Sequence, residues 1–163
     1  MNRLVIALSV LVIAAGAAAA PPAAGGKTPE LKLETLDGKS FDLAQQRGHW
    51  VVLNWWATWC APCRKEMPDL SAFADAHKDV RVLGLAYEET EADDIKAFLK
   101  QHPVDYPMAR LDLDSPPKDF DAPRGLPMTY LIAPDGTVAE RFLGPVTGAQ
   151  LSERIAKAGK PGS

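Results

Sequence analysis

The stretch WWATWCAPCRKE, residues 55–66, holds both cysteines of the chain, Cys60 and Cys63, three positions apart. Its surroundings decide how it reads. Val51 to Ala57 is a continuous apolar and aromatic run, the pattern of a central strand covered on both faces. Past the cysteines, Met67, Leu70, Phe73, Ala74 and His77 recur at helical spacing. A strand therefore hands over to a helix that begins near Cys60. Unpaired N–H groups and the helix macrodipole favour a thiolate at that position. Cysteines so placed have pKa values of roughly 3.5–7.5, against about 8.5 for a free thiol. A shift from about 8.5 to about 7 would raise the thiolate fraction at neutral pH from roughly 3% to half. Pro62 suits the first helical turn, where no intrahelical N–H bond is lost. Cys63 falls one turn further in and is expected to be less exposed. On this reading Cys60 attacks a partner's disulfide, and Cys63 resolves the mixed disulfide that results.

Other uses of the pair are weaker. A structural zinc site generally needs four Cys/His ligands, and the three histidines (His49, His77, His102) are scattered without ligand spacing. Covalent haem attachment wants a histidine directly after the second cysteine, where Arg64 stands. As a fold-stabilising staple the bridge would close so short a loop that it constrains the unfolded chain very little.

The rest of the chain reads as α/β. Leu31, Leu33, Phe41 and Leu43 around Asp37-Gly38 suggest a short hairpin. Val80 to Tyr87 is a second buried strand, and Glu91 to Gln101 a helix with Ile95, Phe98 and Leu99 on one face. The proline-rich segment Asp112 to Gly125 reads as loop. Met128 to Ile132 and Val138 to Leu143 form strands about a Pro134-Asp135-Gly136-Thr137 turn, and Thr147 caps a last helix carrying Leu151, Ile155 and Ala158. The order is β-β-β-α-β-α-β-β-α, with the closing hairpin arguing for a mixed sheet. His77 reads as a packed or partly exposed side chain, and His49 and His102 as solvent-facing. Glu88, Glu89, Glu91, Asp93 and Asp94 read as an acidic cluster at a helix start.

With 163 residues and no internal repeat, the chain suits one domain. Its net charge of −3, with signs mixed, gives no footprint for nucleic acid. Residues 1–19 begin with a single positive charge and continue as an uncharged apolar run. They read as a secretory signal cut before Ala20, or as an uncleaved membrane anchor at the short limit for a span. With no cysteine near residue 20, lipid attachment there is excluded. Residues 20–28 form a Pro/Ala/Gly-rich linker, and 29–163 the folded domain, which is expected to work in the periplasm or otherwise outside the cytoplasm.

The sequence resembles the thioredoxin superfamily and, within it, the extracytoplasmic TlpA/ResA-like branch that includes cytochrome c biogenesis thioredoxins. The resemblance rests on LNWWATWCAPCRKEMP, on GLPMTYLIAPDG some 60 residues later, and on the final strand and helix. It implies a thioredoxin-like fold, a mixed central sheet flanked by helices with an N-terminal β-hairpin. It implies that Pro127 is cis and lies beside the active disulfide, leaving the Leu126 backbone free to pair with a bound peptide. Trp59 would shield the disulfide and offer an apolar contact, and Pro68 would kink the active-site helix. Cytoplasmic thioredoxin usually has a buried aspartate six positions before the first cysteine, and here Asn54 stands there. The ResA-like branch looks instead to a glutamate three after the second cysteine, which is Glu66. On a helix it shares a face with Cys63. A raised pKa near a partly buried thiol would suit it to proton exchange, whereas the plain alternative is a surface glutamate beside Arg64 and Lys65.

The resulting expectation is an extracytoplasmic thiol–disulfide oxidoreductase, without cofactor or metal, working through Cys60–Cys63 as a reductant. Ala61-Pro62 lacks the intervening histidine of strongly oxidising relatives, which favours the disulfide and makes the dithiol the better reductant. The resemblance implies protein substrates bearing disulfides or thiols, apocytochrome c among them, and a membrane thiol-transfer electron donor. Membrane contact is expected only through an N-terminal anchor, and a monomer is expected. Two alternatives stay open. A peroxide-reducing enzyme would want Thr or Ser three before the nucleophile, where Ala57 stands. A copper chaperone would hold Cu(I) between soft thiolates, but copper-handling relatives separate their cysteines by three residues rather than two.

Overall fold

The computed structural model describes residues 28–159. The expected signal or anchor and nearly all of the linker lie outside these residues. No helix among the described residues is long and apolar enough to cross a membrane.

The chain opens with strands β1 (Lys32–Glu34) and β2 (Ser40–Asp42), an antiparallel pair followed by a 3₁₀ turn at Leu43–Gln46. It continues through β3 (Trp50–Trp56), α1 (Ala61–Ala76), β4 (Val80–Ala86), α2 (Ala92–Gln101) and β5 (Met108–Arg110). It closes with β6 (Met128–Ile132), β7 (Val138–Leu143) and α3 (Gly148–Ala158). The main sheet has the order β5-β4-β3-β6-β7. β4 runs parallel to β3 and β5, while β6 runs antiparallel to β3 and β7. This is the thioredoxin-like fold with its mixed sheet and N-terminal hairpin.

β5 is absent from the order read in the sequence. Its three residues are too few to show a period, and it becomes a strand by pairing Met108, Ala109 and Arg110 with Gly84, Leu85 and Ala86. Each strand's alternating side chains serve two separate cores. Val52, Trp56, Val82, Ala86 and Leu131 face Met67, Leu70 and Phe73 of α1, Ile95 of α2 and Leu151 of α3. Val51, Leu53, Trp55, Leu83 and Leu85 face the other way, onto Leu31, Phe41 and Leu43 of the hairpin region and Phe120 of the 112–125 loop. Phe120 packs at a tilt against Trp55, ring centres 5.2 Å apart, and meets Tyr130 edge-on at 5.1 Å. Burying such a ring contributes about 2 kcal/mol, so the proline-rich segment is a sheet cover held by an aromatic anchor.

Helix ends and turns follow their local chemistry. Thr147 and Gln150 form a reciprocal capping box at the start of α3. Asp69 on α1 accepts from Gly148 N at 2.6 Å. Gly148 suits that approach, because a Cβ there would stand 3.0 Å from the Phe73 Cβ and press α1 and α3 apart by a few tenths of an ångström. Gly136 turns the β6–β7 hairpin at φ +83°, a region that disfavours L side chains. His77 stacks on Phe73 at 4.3 Å and is half-buried. His102 is exposed against Phe98. His49 differs from expectation: it is half-buried, its Nδ1 3.1 Å from the Asp79 carbonyl.

Candidate active site

Strand directions bring the site together at one end of the sheet. β3 ends at Trp56 and leads within four residues to Cys60, the N-cap of α1. β6 is antiparallel to β3 with Met128 opposite Trp55, so Pro127 emerges at that same end. The Leu126–Pro127 peptide is cis. β4 is parallel to β3 with Ala86 opposite Trp56, so residues 87–90 emerge there too.

Cys60 and Cys63 are disulfide-bonded, with Cα atoms 5.3 Å apart. The Cys60 Sγ accepts from the Cys63 N–H at 3.2 Å, taking the capping place a serine or aspartate oxygen usually fills. An anionic sulfur there faces the N-terminal N–H groups of α1. Cys60 is 4% exposed and Cys63 0%, so the second sulfur lies inward of the first. Pro62 falls in the first turn and Pro68 inside the helix, where it removes one intrahelical bond.

Glu66 is no surface residue. It is 6% exposed, with Oε1 accepting from Asn54 Nδ2 at 2.8 Å and Oε2 accepting from Val146 N at 2.9 Å. Asn54 Nδ2 also donates to Thr129 Oγ1 at 3.0 Å, while Asn54 Oδ1 is buried without a partner. Burial pushes the Glu66 carboxyl up from 4.5 to about 7; its two hydrogen bonds oppose that rise and the nearby Asp69 adds to it. The Tyr106 hydroxyl, buried without a partner, is also raised, by burial and then by the charge of Glu66. A carboxyl poised near neutral, one helical turn beyond a buried sulfur, is equipped to exchange a proton there.

Trp59 is 68% exposed and stands out from the surface. With half-buried Leu126 it lines a groove of about 560 Å³ together with Tyr87, Glu88, Glu89 and Arg124. Of the residues singled out in the sequence, Cys63 and Glu66 thus lie beneath the surface and Trp59 and Leu126 along the groove, while Cys60 caps α1 and the cis Pro127 stands at the same end of the sheet.

One assignment changes. α2 begins at Ala92, with Asp93 and Asp94 in its first turn, but Glu88 does not belong to that cluster. It is 8% exposed, its Oε1 accepting from Thr58 N and its Oε2 from the Thr58 hydroxyl, both at 2.8 Å. The reason is register: Thr58 and Glu88 each lie two residues past the paired Trp56 and Ala86. That register is a property of the assembled sheet and leaves no signal along the chain around Glu88. The Thr58 hydroxyl is thereby committed to Glu88. Among the described residues no group of three or more His, Cys, Asp or Glu side chains is placed to hold a metal ion.

Comparison with known proteins agrees with this geometry. A model of the AhpC/TSA family matches residues 24–141. The thiol-disulfide oxidoreductase ResA of Bacillus cereus (strain ZK / E33L) is 32% identical over 96% of both chains. ResA of Bacillus subtilis (strain 168) is 32% identical over 79% of this chain and 72% of its own. Among solved structures, a putative thiol:disulfide interchange protein DsbE from Chlorobium tepidum superposes with a TM-score of 0.72 at 26% identity, covering 83% of this chain and 97% of that one. The chain therefore belongs to the AhpC/TSA family and, within it, to the thiol–disulfide oxidoreductases of ResA type.

Proposed function

We propose that this protein is an extracytoplasmic reductant that carries electron pairs from a membrane thiol-transfer donor to disulfides in partner proteins, apocytochrome c cysteines among them. The observation that carries the reading is the layered arrangement of Cys60 at the helix N-cap, Cys63 buried inward of it and Glu66 buried one turn further. In the reduced protein the Cys60 thiolate attacks one sulfur of the partner's disulfide. A Cys60–partner S–S bond forms, and the other partner sulfur leaves as a thiolate and takes a proton from solvent. Cys63 then loses its proton to Glu66, directly or through a water, and attacks the Cys60 sulfur. The Cys60–Cys63 bond forms, the second partner sulfur leaves, and two electrons have passed to the partner. A donor dithiol reverses these steps and becomes a disulfide itself. Trp59 and Leu126 line the groove along which a partner peptide lies, and the cis Pro127 follows Leu126 directly in the chain.

Direction is set by which state the site favours. Ala61 and Pro62 supply no cation to stabilise a Cys60 thiolate, so the dithiol gives up its electrons readily. Equilibration of the Cys60–Cys63 pair with glutathione or dithiothreitol buffers tests this. A reductant should have a potential below roughly −220 mV, whereas a value near −120 mV belongs to strong oxidants and would overturn the assignment.

A further inference from the structure

We propose that Glu88 is a positioning residue for the attacking cysteine: its carboxylate clamps Thr58 and so holds the turn that presents Trp59 and Cys60. This rests on the reading of Cys60–Cys63 as a redox centre and assigns a part to a residue outside the motif. The turn between β3 and α1 has few internal ties. Cys60 N donates to the Ala57 carbonyl at 3.1 Å, and Tyr87 N from the neighbouring strand end donates to the Trp56 carbonyl at 2.8 Å. Between these two bonds lies Thr58, whose N–H and hydroxyl both reach the Glu88 carboxylate at 2.8 Å. A carboxylate accepting two bonds from one residue acts as a fork, fixing orientation as well as distance, and charge-assisted bonds of this kind are the stronger ones.

The lever is short. Thr58 is two residues before Cys60 and one before Trp59, whose ring has little else to hold it, being 68% exposed. A rotation of the 57–59 backbone would move the Cys60 sulfur relative to the N–H groups of α1 and swing Trp59 across the groove. In-line attack of a thiolate on a disulfide tolerates little misalignment, and displacements of about 1 Å can cost up to a hundredfold in rate. Glu88 touches neither sulfur in this arrangement; it acts through Thr58.

The test is a double-mutant cycle on the full chain, with E88A, T58V and the pair, plus E88Q. Each reduced protein is reacted with oxidised glutathione to obtain the second-order rate, and Cys60 alkylation by iodoacetamide is followed against pH to obtain its thiol pKa. Thermal melting reports structural damage separately. We expect E88A to slow the reaction about tenfold relative to wild type. T58V, which keeps the backbone N–H, should lose less, and the double variant should be no slower than E88A. E88Q, with one acceptor oxygen left, should recover part of the rate. The Cys60 pKa should move in E88A as the sulfur shifts against the helix N-terminus. A wild-type rate and wild-type Cys60 pKa in E88A, or effects of E88A and T58V that simply multiply, would overturn the proposal. If E88A does not fold, the cycle is run with E88Q and T58V, and wild-type rates in both overturn it equally. The wild-type rate reads the redox assignment independently: a wild-type protein inert to oxidised glutathione defeats that assignment, and this proposal with it.

Discussion

Replacing Glu66 by Gln should flatten the pH dependence of stability within a window that the buried carboxyl defines. The carboxyl is 6% exposed, and burial raises its pKa from 4.5 to about 7 in the folded, oxidised protein. The unfolded chain has no such burial and ionises near the ordinary value. Between the two values the folded protein holds a proton that the unfolded chain has released. The stability this group contributes is therefore complete below the unfolded value and is lost as pH rises through the folded one. The span corresponds to about 3 kcal/mol. Gln cannot titrate, so E66Q should show none of that loss. It carries a separate, pH-independent cost, because its single acceptor oxygen faces two donors, Asn54 Nδ2 and Val146 N. One donor loses its partner, at about 1–3 kcal/mol. E66Q should thus be the less stable protein near about pH 4, and the gap should close or reverse by about pH 8. Urea unfolding of both oxidised proteins across that range measures the gap. Taking the difference cancels every titration the two proteins share. A gap that stays constant with pH would refute the reasoning, since it would mean that Glu66 ionises alike in folded and unfolded chains.

Two further expectations concern the sulfurs and the packing above the sheet. C63S should accumulate mixed disulfides between Cys60 and partner proteins, seen as dithiothreitol-sensitive adducts on non-reducing gels, whereas C60S should not; equal trapping by both would remove Cys60 from the attacking role. G84A should destabilise by about 1–3 kcal/mol in urea, because its Cβ would fall 2.1 Å from the Met108 Sδ and 3.2 Å from Trp56 Nε1, and an unchanged urea midpoint would show that Met108 repacks freely.

What could be read in the sequence was what local chemistry determines. The apolar run ending at Ala57, the helical period from Met67 and the Pro62 between the cysteines each carry their own signal, and the strand-to-helix junction follows from them. Thr147 and the Pro134–Thr137 turn are local in the same way, and both form as expected. What could not be read depended on partners distant in sequence. β5 exists because Gly84 leaves room for Met108 beside it, and no window around Met108 reports that. Phe120 sits in a segment whose prolines rightly signal loop, yet its ring is part of the second core through Trp55 and Tyr130. Glu88 reads as one of its acidic neighbours because charge patterning runs along the chain, while its partner Thr58 is set by the parallel register across it.

Glu66 shows how the local and distant constraints combine. Moving the buried carboxyl from the strand to the helix would leave it dependent on one rotating side chain, unless other elements held it. Asn54, at the strand position, supplies that hold: one amide group donates to Glu66 and to Thr129 on β6. Val146 N, just before α3, engages the second carboxylate oxygen from the far side. The acid is thus gripped from β3, itself braced against β6, and from the segment entering α3. An aspartate in place of Asn54 could not play this part, because an ionised carboxylate has no proton to donate and would oppose a second negative charge at hydrogen-bonding distance. The asparagine is therefore the residue that makes a helix-borne carboxyl workable in this site.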